Sequence, residues 1–466
     1  MTSKQISGKG ISSEPARREV PKFFPRLLHK LRQTRDKDIR DLCVQLLSSP
    51  GEAWQMALAQ ELISTYESLI DEAKLSFFEI LFREFGVDEA ALSRLAASYL
   101  ESPGAATYQA LAAGVESPRR KLFIRMNTAP RGMETLVGMR ERILGLLATH
   151  PHLAPLESDL KDLFSLWFNR GFLQLQRIGW QTSALILEKL IEYESVHEIN
   201  GWPDLRRRLA PDRRCFAFFH PVLVNEPIIF VEIALTKGLV SELDPLLDQH
   251  ATVLSPQQAD TAIFYSISNC LDGLRGVSFG NLLIKQVVEE LGNELPGLKF
   301  YSTLSPLPRF ATALRDANNP EGFTRERLAR LLAEYATELV QASGERHPAD
   351  ALFRLLQDPL AHRDLLAKPL KSLALAYLTQ ARLHGRLYDP VAVFHLSNGA
   401  RLERINCFST SRAYGISESF GLMANYRYVL EECEENHERF VSEGEIRVSR
   451  QLLSECRSVA RLWRPD

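Results

Sequence analysis

The first third of the chain has the apolar periodicity of amphipathic helices. In the segments 36–49, 53–70 and 74–86, apolar side chains recur at positions i, i+3, i+4 and i+7, which places them on one helix face. The stretches SSPGEA, ESPGAA and NTAPRGM separate such segments. The pattern predicts an all-α domain of roughly six to eight helices over residues 21–168. Residues 1–20 are polar and aperiodic, and we expect them to form a disordered tail.

After about residue 170 the pattern indicates strands as well as helices. Continuous apolar runs at 215–222, 227–235 and 261–269 predict strands that are covered on both faces. The segment 282–291 predicts an amphipathic helix, and we expect its polar residues, Lys285 among them, to point away from the core. The predicted apolar face consists of Leu283, Ile284, Val287, Val288 and Leu291.

The last part of the chain predicts a helical insert followed by a hairpin. Residues from about 322 to 384 have a helical pattern. The segment 391–408 is centred on Asn398-Gly399, a strong hairpin signal, and predicts a β-hairpin with His395 in its first strand. The fold class we predict is α+β with two domains. An N-terminal all-α helical bundle precedes a mixed α/β domain over 169–466 that contains the insert.

Composition excludes several classes of function. The net charge is −2 and the pI is about 6.6, so no basic field over the whole protein indicates a nucleic-acid partner. The longest apolar stretch, PIIFVEIALTKGLV, is interrupted by Glu232 and Lys237, so we expect no membrane span. Six cysteines show neither a CxxC pair nor zinc spacing. With no secretory signal at the start, this predicts a cytoplasmic protein without a metal site.

A glycine-containing loop between a predicted strand and a predicted helix is a candidate phosphate site. The loop LRGVSFGN includes Gly276 and Gly280, which let backbone N–H groups approach a ligand at a helix N-terminus. It lacks the GK[ST] of an NTPase loop and the third glycine of a dinucleotide loop. A plain turn is at least as common a reading. The unit resembles the acyl-CoA-binding core of the GCN5-related N-acetyltransferase fold, although it matches that family's Arg/Gln-x-x-Gly-x-Gly/Ala loop only loosely.

Two residues that could carry chemistry lie 90 positions apart, at Ser305 and His395. Taken alone, Ser305 is an ordinary polar residue held extended by the following proline, and His395 is an ordinary half-buried strand histidine. The functional alternative is that Ser305 leaves the sheet at the end where ligands bind. His395 would then present an imidazole that titrates near neutral pH as a proton donor.

From about residue 195 to 430 the chain resembles the malonyl-CoA decarboxylase family. The stretches that carry the resemblance are RRCFAFFHP, FYSISNCLDGLRGVSFGNLLIKQVVEEL, STLSPLPRF, DPVAVFHLSNGARLERIN and GISESFGLMANYRYVLEE. FHLSNGA and GLMANYRY are the most specific of these motifs. The family also has a helical N-terminal half and is commonly tetrameric, so the resemblance implies a homo-oligomer whose helical domain serves in association.

The resemblance also implies site residues. It makes Ser305 the catalytic serine, His395 the catalytic histidine and Tyr428 a supporting residue. Some members carry a glutamate where this chain has Ser278, so a role of that carboxylate cannot be transferred. The CoA-contacting segment that the resemblance implies consists of Arg275, Gly276, Val277, Ser278, Phe279, Gly280 and Asn281.

The implied reaction is decarboxylation of malonyl-CoA to acetyl-CoA and CO2 through a thioester enolate, in fatty acid or malonate metabolism. Because the thioester is itself the electron sink, we expect no metal or organic cofactor, and coenzyme A is part of the substrate. His395 would donate the proton to the α-carbon, and Ser305 would orient the carboxylate or accept a proton. Two alternatives remain, an acyl-CoA-dependent N-acyltransferase and a non-catalytic acyl-CoA-binding protein.

Overall fold

A computed structural model describes residues 38–277, 283–316 and 318–464. The predicted tail over residues 1–20 lies outside the described residues. The chain divides into two compact units, the first ending at Leu163 and the second beginning at Phe164. No helix in the described part combines the length and the apolar character that a membrane span requires.

From Ile39 to Trp167 the described chain is helical, which confirms the helical character predicted for the N-terminal region. Asp38, Asp88 and Ser117 start three of these helices as N-caps, since their side-chain oxygens accept hydrogen bonds from first-turn N–H groups. Phe77 and Phe123 are fully buried in the core of the first unit. The helices are α1 (Ile39–Ser48), α2 (Glu52–Ser68), α3 (Asp71–Glu84), α4 (Glu89–Glu101), α5 (Ala105–Val115), α6 (Pro118–Met126), α7 (Gly132–Leu146) and α8 (Ala154–Trp167).

The second unit is built on a mixed sheet, so the α+β class is confirmed. The strand order is β1-β2-β3-β4-β5-β10-β6, with β9 paired to β10. Neighbours are antiparallel except for β4 and β5, which are parallel. The strands are β1 (Gln174–Ile178), β2 (Arg213–Phe219), β3 (Pro227–Thr236), β4 (Thr261–Asn269), β5 (Phe300–Thr303), β6 (Ser305–Pro306), β7 (Arg382–Leu383), β8 (Arg386–Leu387), β9 (Arg401–Asn406) and β10 (Met423–Tyr428).

Helices cover this sheet and form the insert. All seven residues of β2 are buried. The predicted apolar run starts at Cys215, and the two arginines before it are buried in ion pairs with Asp212 and Glu294. The helices are α9 (Ala184–Tyr193), α10 (Gly201–Arg208), α11 (Asp244–Leu247), α12 (Leu283–Glu294), α13 (Phe310–Arg315), α14 (Arg325–Leu332), α15 (Ala336–Ser343), α16 (Pro348–Leu355), α17 (Arg363–Thr379), α18 (Pro390–Ser397), α19 (Ala413–Ser419), α20 (Cys433–Glu443) and α21 (Leu453–Trp463). Helices α14 to α17 lie within the range 322–384 predicted as a helical insert, and strand β7 occupies Arg382–Leu383 at its end.

Helix α12 connects the parallel strands β4 and β5. Its five predicted apolar residues are buried. The prediction that Lys285 points away from the core is wrong, because this side chain is buried and its Nζ pairs with the carboxylate of Glu434. An ion pair at the end of the long lysine side chain permits this burial, and the apolar pattern of one helix cannot reveal a partner 149 residues away.

The hairpin predicted over residues 391–408 is wrong in its first half. Residues 390–397 form helix α18, which begins with Asp389 as N-cap and Pro390 in its first turn. A run as rich in apolar residues as VAVFHL suits a buried helix as well as a strand, so the Asp-Pro start signal decides between them. Gly399 has φ of +81° and ends the helix instead of turning a hairpin. The second half is strand β9, as predicted.

Candidate active site

Ser305 and His395 meet in the fold despite their distance in sequence. Ser305 lies on the two-residue strand β6, where it pairs with Ala424 of β10. His395 lies in the last turn of α18. The Ser305 Oγ is 3.0 Å from the His395 Nε2, and both side chains are buried. The pair therefore has the hydrogen-bond contact that nucleophilic or acid–base chemistry requires.

The other side of the imidazole is held by Tyr428 of β10. The Tyr428 hydroxyl is 2.8 Å from the His395 Nδ1. The ring of Tyr426, two residues earlier on the same strand, stacks on the imidazole with centroids 4.7 Å apart and an interplanar angle of 25°. Contacts to both ring nitrogens and to one ring face leave the imidazole a single orientation.

Thr303 extends this chain of side chains, and sequence reasoning missed it. Its Oγ1 is 2.9 Å from the Ser305 Oγ and accepts a hydrogen bond of 3.1 Å from the Tyr426 backbone N–H. Thr303 and Ser305 are two residues apart on consecutive strands, so they share one face of the sheet. The two-residue spacing from Ser305 is the only feature of the sequence that indicates a role for Thr303, and this indication is weak.

Burial sets the protonation of this cluster. It lowers the pKa of His395 from 6.5 to about 3, so the imidazole is neutral in the free protein. The prediction of a histidine that titrates near neutral pH is wrong for this state, because sequence alone did not show that the ring would be fully desolvated. Burial also raises the pKa of Tyr428 well above its ordinary value, so the hydroxyl stays protonated.

A cavity of about 530 Å³ opens onto Ser305 and His395. Its wall includes Gly276 and Val277 from the loop for which CoA contacts are predicted. Gly276 has φ of +75°, a turn conformation that favours glycine. Arg275 is exposed and precedes this turn. The remaining predicted loop residues, Ser278, Phe279, Gly280 and Asn281, lie outside the described residues.

Among the described residues, strand β4 has an open edge beside this cavity. It pairs with β5 only from Thr261 to Phe264, and the two strands then separate. From there to Asn269, β3 is the only strand paired with β4 among the described residues. An open edge leaves alternate backbone N–H and C=O groups available to an extended ligand. Ser266 and Asn269 of this segment line the cavity.

The walls around Ser305 and His395 are mostly apolar. Phe264, Pro306 and Phe394 line the cavity next to Ser305 and His395. Such walls remove water from a charged group that enters and strengthen the few polar contacts it keeps. In the described part of the chain, no group of three or more His, Cys, Asp or Glu side chains is placed to hold a metal ion.

Comparison with known proteins identifies the family. A family model described as the malonyl-CoA decarboxylase C-terminal domain matches residues 171–463, and one described as the N-terminal domain matches residues 85–168. The mitochondrial malonyl-CoA decarboxylase of Rattus norvegicus is 31% identical over 459 residues, which are 95% of this chain and 90% of the rat protein.

Solved structures agree with this assignment. The malonyl-CoA decarboxylase structure from Rhodopseudomonas palustris is 44% identical, with a TM-score of 0.80 over 89% of this chain and 98% of that one. The one from Agrobacterium vitis is 43% identical, with a TM-score of 0.79 over 92% of this chain and 100% of that one. Because a family model matches more than half of the chain and these relatives align over nearly their whole length, the chain belongs to the malonyl-CoA decarboxylase family.

Proposed function

We propose that this protein decarboxylates malonyl-CoA to acetyl-CoA and CO2, with Ser305, His395 and Tyr428 as its catalytic side chains. The observation that carries the proposal is the hydrogen-bonded chain from Tyr428 through His395 to Ser305, which faces a cavity whose wall includes Gly276 and Val277. Membership of the family supplies the substrate class.

Coenzyme A binds, in this proposal, along the loop 275–281 and the open edge of β4. The pyrophosphate meets backbone N–H groups near the start of α12. The pantetheine arm is an extended chain with two amides, so it pairs with backbone groups of β4 beyond Phe264. This arrangement brings the thioester into the cavity beside Ser305 and His395.

The first chemical step breaks the bond between the α-carbon and the carboxylate. In the free protein, the Ser305 hydroxyl donates to the Thr303 Oγ1. When the substrate enters, this hydrogen turns to the malonyl carboxylate and holds it out of the thioester plane. The breaking bond then overlaps the carbonyl π system, and its electron pair passes into the thioester to give an enolate and CO2.

The second step places a proton on the α-carbon. The neutral imidazole still carries one N–H. With the Tyr428 hydroxyl donating to Nδ1, that hydrogen lies on Nε2, which faces Ser305 and the substrate. A thioester enolate is a strong base, and neutral imidazoles act as hydrogen-bond acids in other enzymes that form enolates. The Tyr428 hydroxyl stabilises the electron density left on the ring, and a proton from water restores the imidazole.

The test is release of CO2 and formation of acetyl-CoA from malonyl-CoA by the purified protein. We expect activity in the wild type and a fall in kcat of at least about 100-fold in Ser305→Ala and in His395→Asn, with CoA affinity nearly intact. Ser302→Ala is the matched control, since this buried hydroxyl donates to the Tyr426 carbonyl and is not among the cavity-lining residues described. Wild-type turnover in Ser305→Ala or His395→Asn contradicts the assigned roles.

The same assay separates the alternatives. An N-acyltransferase would bind malonyl-CoA or acetyl-CoA and release free CoA only when an amine acceptor is added. A non-catalytic acyl-CoA-binding protein would bind CoA and release neither product. A non-catalytic protein has no need of a serine, a histidine and a tyrosine that are hydrogen-bonded in series at the wall of the cavity. Membership of the malonyl-CoA decarboxylase family favours decarboxylation over acyl transfer.

We also propose that the protein is a homo-oligomer, a tetramer, that associates through its first unit. Helices α4 and α5 contain no buried residue in the described chain. Leu100, Tyr108 and Val115 on them are exposed by 77%, 61% and 56%. Light scattering should give the mass of four chains, and Leu100→Glu together with Val115→Glu should reduce it.

The proposed compartment is the cytoplasm, although the rat relative is named as mitochondrial, and fractionation of the source cells tests this.

A further inference from the structure

Tyr377 of helix α17 contacts both segments that carry the proposed catalytic pair. Its hydroxyl donates a hydrogen bond of 2.5 Å to the carbonyl oxygen of Pro308, three residues after Ser305. Its ring packs against the rings of Phe310 and Tyr388, with centroids 5.2 and 5.6 Å apart. Tyr388 precedes helix α18, which carries His395. Tyr377 is fully buried, so none of these contacts competes with water.

Asp389 fixes the start of α18 next to this tyrosine. Its Oδ1 accepts a hydrogen bond of 2.6 Å from the Ala392 N–H, so it anchors the first turn of the helix. Its side chain is fully buried, and its Oδ2 has no hydrogen-bond partner among the described residues. Burial first and then the nearby Asp389 carboxyl raise the pKa of Tyr377 above its ordinary value.

We propose that Tyr377 and Asp389 form a buried bridge that positions Ser305 against His395. They are positioning residues, and the inference rests on the proposed function. Ser305 sits on a strand of two residues and His395 on a helix of eight, so each segment is too short to fix its own place. The bridge connects the Pro308 carbonyl, three residues after Ser305, to the first turn of α18, the helix that carries His395.

The bridge works when Asp389 carries a proton on Oδ2. Tyr377 commits its own hydrogen to Pro308, so its oxygen is available as an acceptor for a protonated carboxyl group. An ionised carboxylate would compete for the tyrosine hydrogen and draw it away from Pro308. Burial raises the pKa of Asp389 to about 7, against the opposing effects of the Ala392 and Val391 N–H groups and of Tyr377.

The groups that face Asp389 come from three other elements. They are Tyr377 from α17, Tyr426 from β10, and Arg309 from the segment before α13, whose charge lowers the pKa of Asp389. The Tyr426 hydroxyl is buried and also has no hydrogen-bond partner in the described chain. A pKa of about 7 places the change of charge of Asp389 near neutral pH.

The bridge predicts a change in turnover without a change in binding. Neither Tyr377 nor Asp389 is among the described residues that line the cavity. Tyr377→Phe keeps the ring and its packing but loses the bond to Pro308. We expect kcat for malonyl-CoA to fall by about 10- to 100-fold, as for a misplaced catalytic group, while KM stays within about twofold.

The control is Tyr388→Phe, which removes a hydroxyl from the neighbouring ring and leaves the bond to Pro308 in place. We expect its kcat to match that of the wild type. Thermal unfolding of the full-length protein checks that both variants are folded. If Tyr377→Phe has the same kcat as Tyr388→Phe, the proposed bridge is wrong. It is also wrong if Tyr377→Phe loses kcat/KM only through a higher KM.

The second measurement is the pH profile of kcat in the wild type and in Asp389→Asn. Asparagine caps the helix and donates from its amide as the protonated acid does, but it cannot ionise. We expect the ratio of kcat at about pH 8.5 to kcat at about pH 6 to be several-fold higher in Asp389→Asn than in the wild type. Equal ratios overturn the proposed role of Asp389.

The two proposals fail in different ways. A folded wild type that releases no CO2 overturns the proposed function and the bridge with it. An active wild type whose Tyr377→Phe variant is unimpaired overturns the bridge alone.

Discussion

The neutral, buried imidazole of His395 predicts a specific dependence of stability on pH. The pKa of His395 is about 3 in the folded protein and 6.5 when the ring is exposed, and burial is the cause. Because the folded-state pKa is lowered, the stabilisation is fully present above pH 6.5 and is lost as the pH falls from there towards 3. Below pH 6.5 His395 binds a proton in the unfolded chain but stays neutral in the folded chain.

The size of this loss follows from the two pKa values. Each pH unit between them is worth about 1.4 kcal/mol, so acidification from about pH 7.5 to about pH 5 should cost the wild type about 2 kcal/mol through this residue. His395→Asn removes the titrating group. The free energy of unfolding of the wild type, relative to that of the variant, should therefore fall by about 2 kcal/mol over this range.

Urea unfolding at both pH values measures this difference, with tryptophan fluorescence as the signal. Of the five tryptophans, Trp167, Trp180, Trp202 and Trp463 lie in the second unit, where His395 is found. His395→Asn also loses hydrogen bonds, and this lowers its stability equally at both pH values. The test therefore uses only the change with pH in the difference between the two free energies of unfolding. His250→Asn, at an exposed histidine, is the control and should follow the wild type. A difference between the wild type and His395→Asn that is the same at both pH values would refute the neutral-imidazole reasoning.

Three further substitutions test other parts of the structure. Tyr428→Phe leaves the buried His395 Nδ1 without a partner, so we expect kcat to fall by about 5- to 100-fold with folding retained, and steady-state kinetics check this. Thr303→Val keeps the shape of the side chain but removes the acceptor of the Ser305 hydroxyl; kcat should fall by about tenfold, and unchanged kcat would contradict a role for Thr303. Gly399→Ala forces a side chain into a backbone with φ of +81° and places Cβ 2.0 Å from the Cys433 carbonyl oxygen. We expect urea unfolding to show a loss of at least about 2 kcal/mol, and wild-type stability would contradict this geometry.

Sequence patterns predicted the elements whose environment is uniform along their length. Strands β2, β3 and β4 are buried on both faces, as the continuous apolar runs within them predict. The start of α18 was misread because an apolar run of six residues suits a buried helix and a buried strand equally. Asp389 and Pro390 are a helix-start signal and indicated the correct structure. The prediction gave more weight to Asn398-Gly399, which is a hairpin signal.

Ser305, His395 and Tyr428 were predicted from their motifs in the family, and the fold brings all three within hydrogen-bond distance in one chain. Their catalytic roles stay predictions until the variants are measured. Thr303 and the Tyr377–Asp389 bridge were not predicted. Both depend on contacts between segments far apart in sequence, such as the 69 residues that separate Tyr377 from Pro308.

The sequence by itself determined the helical first part, the buried strands, the amphipathic face of α12 and the motifs of the family. Each is a local pattern, set by the period at which apolar side chains recur or by a short run of residues. Only the tertiary structure decided that Lys285 is buried, that His395 lies on a helix and that its imidazole is neutral. Desolvation and long-range hydrogen bonds depend on which segments meet in space, and no single segment of the chain contains that information.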